Sequence, residues 1–257
     1  VSGSPAPADT PAGLPADLTG ALAALAGRRP LLVASDYDGV LAPLVGDPSA
    51  AIPQPGVAEA LGRLAARDGV VVALVSGRGV ADLQAVSGLD GPYRWIGSHG
   101  AEYGGPLADE LAARRDALAE QLAPLVAAVP GARLEVKPAS VAVHVRQAPD
   151  RIAAAALLEQ ADAAADPSLT KKPGKEVLEL AVTDADKGSA LLRLGADLGA
   201  ATTLYLGDDR TDEDAFRVLS PDDLTVKVGE GATAARYRVP DPAAVVLVLE
   251  TLADALD

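Results

Sequence analysis

A chain of 257 residues with 49% hydrophobic and 23% charged side chains has a globular balance, with length for one large folded unit or two modest ones. Its formal charge of −14 repels nucleic acid and anionic lipid, and its 3% aromatic content leaves few rings to stack on bases, so neither a nucleic-acid nor a membrane partner is expected. The absence of cysteine and the presence of only two histidines argue against disulfides and protein zinc sites, and favour an oxygen-liking cation such as Mg2+.

Residues Val1 to Pro15 are rich in Pro, Ala, Ser and Gly and lack the basic start and apolar centre of a signal peptide. They read as a loose tail before a short helix. No apolar run approaches the ~20 residues of a membrane span. A cytoplasmic enzyme without an obligate protein partner is the expectation. The first strand is Leu31–Ser35, and Asp36-Tyr37-Asp38-Gly39 follows it. Val57–Arg67 carries Val57, Leu61 and Leu64 at helical spacing. Val70–Val75 is a continuous apolar run, hence a strand buried on both faces, and it ends in Ser76-Gly77-Arg78. Arg78–Val86 reads as helix and Arg94–Gly97 as a short strand.

The middle of the chain changes character. A long Ala/Leu helix over Leu107–Val129 precedes strands at Arg133–Lys137 and Val141–Arg146. In the second, Val141, Val143 and Val145 alternate with Ala142, His144 and Arg146, the pattern of an open-faced antiparallel strand. A helix over Asp150–Ala165 and strands at Ser168–Lys171 and Val177–Ala181 complete an α+β insert of roughly 75 residues, the size of a small domain. Lys171 and Lys172 read as solvated. The α/β rhythm then resumes: helix Lys187–Leu198, strand Thr203–Gly207, helix Glu213–Leu219, strand Leu224–Val228 and helix Ala243–Leu256. Strands alternating with helices predict a parallel sheet with crossover connections.

Four polar sets sit at strand ends or helix starts: Asp36 to Gly39, Ser76 to Arg78, Asp186-Lys187-Gly188, and Asp208 to Asp214. In open α/β sheets the C-terminal edge of the strands is where ligands bind, so sets distant in sequence can converge. Paired carboxylates suit phosphoryl transfer, in which one attacks phosphorus and the other moves a proton. The transferring group also needs cations and donors around its oxygens. A calcium loop is the rival reading of the acidic sets, but neither has the spacing of an EF-hand.

Together these sets resemble the motifs of the haloacid dehalogenase superfamily of phosphatases. The resemblance implies Asp36 as nucleophile, Asp38 as acid and base, and Ser76 and Lys187 as phosphate donors. Mg2+ would be held by Asp36, the Asp38 carbonyl and Asp208, with Asp209 and Asp212 as further ligands or as supports. Five segments narrow it: Leu41-Ala42-Pro43-Leu44, Ser76-Gly77-Arg78, Gly97-Ser98-His99-Gly100-Ala101-Glu102, Gly174 to Glu179, and Leu206 to Phe216. They look like the trehalose-6-phosphate phosphatase family. That family implies a Rossmann-like core with a parallel sheet and helices on both faces, plus a smaller α/β cap. Tail and short helix would cover 1–28, the core 29–106 and 183–257, and the cap 107–182. The implied substrate is trehalose 6-phosphate, with Arg78, His99 and Glu102 from the core and Lys137, His144, Lys175 and Glu179 from the cap as sugar contacts. The chain departs from common family residues at Val40, Ala181-Val182 and Ala185. A phosphatase for another sugar phosphate, or a sugar-phosphate-binding regulator without activity, is the alternative.

Overall fold

The computed structural model of the chain describes residues 13–257, so most of the expected tail lies outside the described residues. Helix α1 (Ala16–Ala26) places Leu18, Leu22 and Leu25 on one stripe. Each such leucine, once buried, contributes ~1.5–3 kcal/mol. A seven-stranded sheet follows, ordered β11-β10-β9-β1-β2-β3-β4. Its strands are β1 (Leu31–Ser35), β2 (Val70–Val75), β3 (Arg94–Gly97), β4 (Glu102–Tyr103), β9 (Thr202–Gly207), β10 (Leu224–Val228) and β11 (Tyr237–Val239). All neighbours are parallel except β3 and β4.

β1 is central and wholly buried, which explains its unbroken apolar run. Leu31 and Val33 join the layer of α1, α2 (Val57–Ala65), α3 (Val80–Ser87) and α8 (Pro242–Leu256). Leu32 and Ala34 join the layer of α6 (Lys187–Leu198) and α7 (Asp212–Val218). The register pairs Ser35 with both Leu74 and Leu206, so β1, β2 and β9 end side by side. Three of the four polar sets therefore emerge at one edge.

The insert forms a separate antiparallel sheet, ordered β5-β6-β8-β7. Its strands are β5 (Arg133–Lys137), β6 (Ser140–His144), β7 (Thr170–Gly174) and β8 (Val177–Ala181). Val141, Val143, Leu178 and Leu180 pack against α4 (Asp109–Ala127) and α5 (Arg151–Ala164) in a core of their own. The opposite face is not simply open: Ala142, aligned with Glu135 and Glu179, is fully buried between those longer side chains.

Several boundaries move for local reasons. Ser168 is drawn out of β7 because its amide and hydroxyl both donate to Asp166 Oδ1 in a turn. The strand instead runs through Pro173, which its edge position permits. α3 starts at Val80, not Arg78, because Ser76 to Gly79 form a loop whose exit is capped by Glu102. Among the described residues, no helix is long and apolar enough to cross a membrane.

Candidate active site

Asp36 follows β1 directly and is buried. Its Oδ2 accepts from Lys187 Nζ at 2.7 Å and its Oδ1 from the Tyr37 amide at 2.6 Å. Lys187 opens α6 behind a capping box formed by Asp186 and Ser189, which fixes where the helix begins and aims the lysine inward. Its ammonium also donates to Asp212 Oδ1 at 2.8 Å. Burial opposes the lysine's charge, but Asp36, Asp212 and Asp209 outweigh it and hold the ammonium protonated. The same burial, with Asp212 nearby, pushes Asp36 up against the pull of Lys187.

Asp212 organises this edge. Besides Lys187, its Oδ1 accepts from Tyr205 Oη at 2.6 Å, and its Oδ2 accepts from the amides of Asp208 and Asp209 at 2.8 and 3.0 Å. Asp209 is turned to its own helix, with its Oδ1 accepting from the Thr211 amide and hydroxyl and from the Asp212 amide. Asp208 differs. Its Oδ1 is buried without a hydrogen-bond partner among the described residues, and burial with its acidic neighbours pushes its carboxyl up to about 6. Carboxylate oxygens of Asp36, Asp208 and Asp212 lie within 4.8 Å of one another. Two of these three clustered carboxylates, Asp36 and Asp212, share one ammonium, and an oxygen of the third is left bare, so the donor set fits a hard divalent cation. Gly39 permits the cluster: its φ is +76°, and a Cβ there would overlap the Asp208 carboxylate.

Asp38 is half-exposed and held by Arg78, with Nε to Oδ2 at 2.7 Å and Nη2 to Oδ1 at 2.8 Å. Arg78 also reaches Asp82 Oδ2 and the Pro48 carbonyl, so all three guanidinium nitrogens are already engaged. Ser76 is buried beside them, its hydroxyl accepting from the Arg78 amide at 3.1 Å.

A cleft of about 1000 Å³ opens over these groups and is lined on its far side by Glu135 and Lys137 of β5. His99 and Glu102 border it from the core. Ser98 and His99 both have positive φ, and the imidazole lies against Gly77, where no side chain would fit. Burial, then the charges of Lys187 and Lys172, lower the His99 pKa to about 4, so the ring is neutral at pH 7. Glu102 is a brace: its Oε2 accepts from Ser98 Oγ at 2.7 Å and from the Val80 amide at 3.2 Å, tying the histidine turn to the start of α3.

On the insert, Glu179 accepts from Lys137 Nζ at 2.7 Å and Ser140 Oγ at 2.8 Å. Burial pushes Glu179 up, but these donors outweigh it and hold its carboxyl below the usual range. Two expected sugar contacts are not brought here. Ser140 and Ala181 form the row of the sheet nearest the core, whereas His144 and Val177 form a row four residues further on, about 13 Å along the strand. His144 is hydrogen-bonded to Glu135 Oε2 at 2.7 Å, and Lys175 is exposed in the turn between β7 and β8. Lys172 is exposed, as read, and it also pairs in register with Glu179 and borders a small cavity with His99 and Lys137. Lys171 points the other way, to Asp162. Strand alternation was the signal for Lys172, but the strand's true limits were needed to apply it. Glu135 was missed although the limits of β5 were read correctly; its place two residues before Lys137, on the same face of the strand, was the available signal.

The family model described as trehalose-phosphatase matches residues 34–243. The trehalose-phosphate phosphatase of Mycobacterium avium (strain 104) is 39% identical over 264 residues, covering 93% of this chain and 66% of that protein. That of Mycobacterium tuberculosis (strain H37Rv) is 39% identical over 260 residues, covering 90% and 63%. The chain thus spans about two thirds of the length of these curated relatives. Aspergillus fumigatus trehalose-6-phosphate phosphatase superposes with a TM-score of 0.73 at 27% identity, covering 94% of this chain and 98% of that one. Motif order, fold and match together place the sequence: the chain belongs to the trehalose-phosphatase family.

Proposed function

We propose that the chain hydrolyses trehalose 6-phosphate to trehalose and inorganic phosphate, as a Mg2+-dependent step of trehalose biosynthesis. The observation that carries this reading is the buried Asp36–Lys187–Asp212 network beside the unpartnered Asp208 oxygen, at the C-terminal edge of the parallel strands and beneath a cleft bordered by charged side chains of both core and insert. An Asp36 oxygen attacks phosphorus and the bond from phosphorus to the sugar oxygen breaks, with the proton for that oxygen supplied by Asp38. The product is an aspartyl-phosphate. Water then attacks its phosphorus, Asp38 takes the water's proton, and the acyl-phosphate bond breaks to release phosphate and restore Asp36. Lys187 and Ser76 supply positive charge and hydrogen bonding to the phosphoryl oxygens. Because Arg78 engages both Asp38 oxygens, proton transfer requires one of those bonds to open. Bound Mg2+, held by Asp36, Asp208 and the Asp38 carbonyl, would screen the nucleophile from the anionic substrate.

In the same reading, residues 107–182 act as a cap over a core of 29–106 and 183–257, and Lys137, Glu179 and Lys172 meet the sugar with His99. A site that pairs hydroxyls rejects analogues that leave those groups unpaired. The test is phosphate release with Mg2+ and with EDTA across trehalose 6-phosphate, sucrose 6-phosphate, glucose 6-phosphate and glucosyl phosphoglycerate. Mg2+-dependent preference for the first is expected, and Asp36→Asn should lower turnover about 10⁴-fold with the fold intact. Preference for another substrate would overturn the sugar assignment, and substantial turnover by Asp36→Asn would overturn the chemistry.

A further inference from the structure

Tyr205 lies in the middle of β9, between Ala34 of β1 and Thr225 of β10, and is fully buried. No substrate can touch it. Its hydroxyl donates to Asp212 Oδ1 at 2.6 Å; that oxygen also accepts from Lys187 Nζ at 2.8 Å, and Lys187 Nζ donates to Asp36 Oδ2 at 2.7 Å. The Tyr205 hydroxyl is therefore connected to the nucleophile through Asp212 and Lys187. The ring meets Phe216 with centroids 5.7 Å apart. Asp212 and Phe216 are four residues apart on α7 and share one helix face. One strand residue thus grips α7 at two points, one polar and one apolar.

What Tyr205 does follows from counting partners at Asp212. Its Oδ2 is held by the amides of Asp208 and Asp209, and its Oδ1 is shared by the tyrosine and the lysine. Without the phenol, Lys187 is the sole donor to Oδ1. Asp212 and Asp36 both draw on one ammonium, so an Asp212 short of a donor takes the larger share and pulls Lys187 away from Asp36. The geometry points to Tyr205 as a positioning residue that sets Lys187 against Asp36 by acting through Asp212. This inference rests on the reaction proposed above.

Tyr205→Phe keeps the ring and removes the hydroxyl. With trehalose 6-phosphate and saturating Mg2+, kcat should fall about 10- to 100-fold, the scale of a small misplacement of a reacting group. KM should change less than about twofold, and the melting temperature should fall by no more than about 4 °C. In an Asp212→Asn background the same substitution should alter kcat less than about twofold, because the connection is already broken. An unchanged kcat in Tyr205→Phe overturns the inference. So does an equal fold-loss in both backgrounds, or a loss that only follows the folded fraction. Turnover by Asp36→Asn would remove the reaction itself. A dead Asp36→Asn beside a fully active Tyr205→Phe removes only the role of Tyr205.

Discussion

The two sides of the cleft are built differently. On the core side, Lys187 and Asp212 are 1% and 0% exposed, and every described contact between them, Asp36 and Tyr205 is a short hydrogen bond inside the protein. On the insert, Lys137 and Glu179 pair while 38% and 21% exposed. A buried ion pair is strongly coupled and costly to break, whereas a half-exposed one is screened and readily exchanged. Under the proposed reaction, chemistry that tolerates no misplacement would sit where packing fixes it, and recognition of a hydroxyl-rich ligand would sit where lysines can trade a carboxylate for a sugar.

The contrast is broken most directly at Lys187. Lys187→Ala leaves Asp36 and Asp212 buried without their ammonium, and thermal or denaturant unfolding should register a loss of ~3–5 kcal/mol along with activity. An equally large loss of stability from Lys137→Ala would erase the distinction between the two sides.

His99, on the core turn that faces the insert, sharpens the comparison through pH. Its folded pKa of about 4 lies below the ordinary histidine value of about 6.5, so the unfolded chain takes up the proton first. The contribution is at full strength above pH ~6.5, declines as pH falls toward 4, and the total loss is about 3 kcal/mol at most. Asn tolerates the positive φ at this position, so His99→Asn serves as the reference. The stability difference between wild type and His99→Asn should shift toward the variant between pH 7 and pH 4. A difference independent of pH would mean the ring is not desolvated. Because Asp208 is present in both proteins, its own titration near 6 cancels.

The smallest effect is expected on the insert's edge strand. Lys172→Ala should raise KM for trehalose 6-phosphate ~3- to 10-fold, while KM for a small aryl phosphate stays put, in keeping with the loss of one polar contact. Lys171→Ala, one residue away on the other face, should change neither. Equal behaviour of the two lysine variants would show that the cavity beside Glu179 takes no part in binding.

Much of the core could be read directly from the chain, because β1 and β2 are apolar runs, and β9 carries a Leu204-Tyr205-Leu206 centre, that stop before polar residues. Burial on both faces gives such strands an unmistakable composition. β4 and β11 escaped because two and three residues carry no period. On the insert, alternation correctly turned Glu179 away from Leu178 and Leu180, but it says nothing of distance along the strand. His144 shares a face with Ser140 and still lies a full four residues too far from the core. The segment Asp208 to Asp214 announced an acidic cluster without revealing its division of labour. Only the fold shows that Asp212 has its oxygens occupied by four donors while Asp208 keeps one bare.

Gly39 and Asp208 stand 169 positions apart in the chain, yet the space between them is smaller than a methyl group. The clearance between the turn after Asp36 and the acidic turn after β9 is therefore set by a hydrogen atom. A mutation that adds even one carbon at residue 39 acts as a wedge, driving apart two segments that no covalent link holds together. Asp36 and Asp208 would then be displaced from one another, and a compensating change would have to arise on the opposite turn.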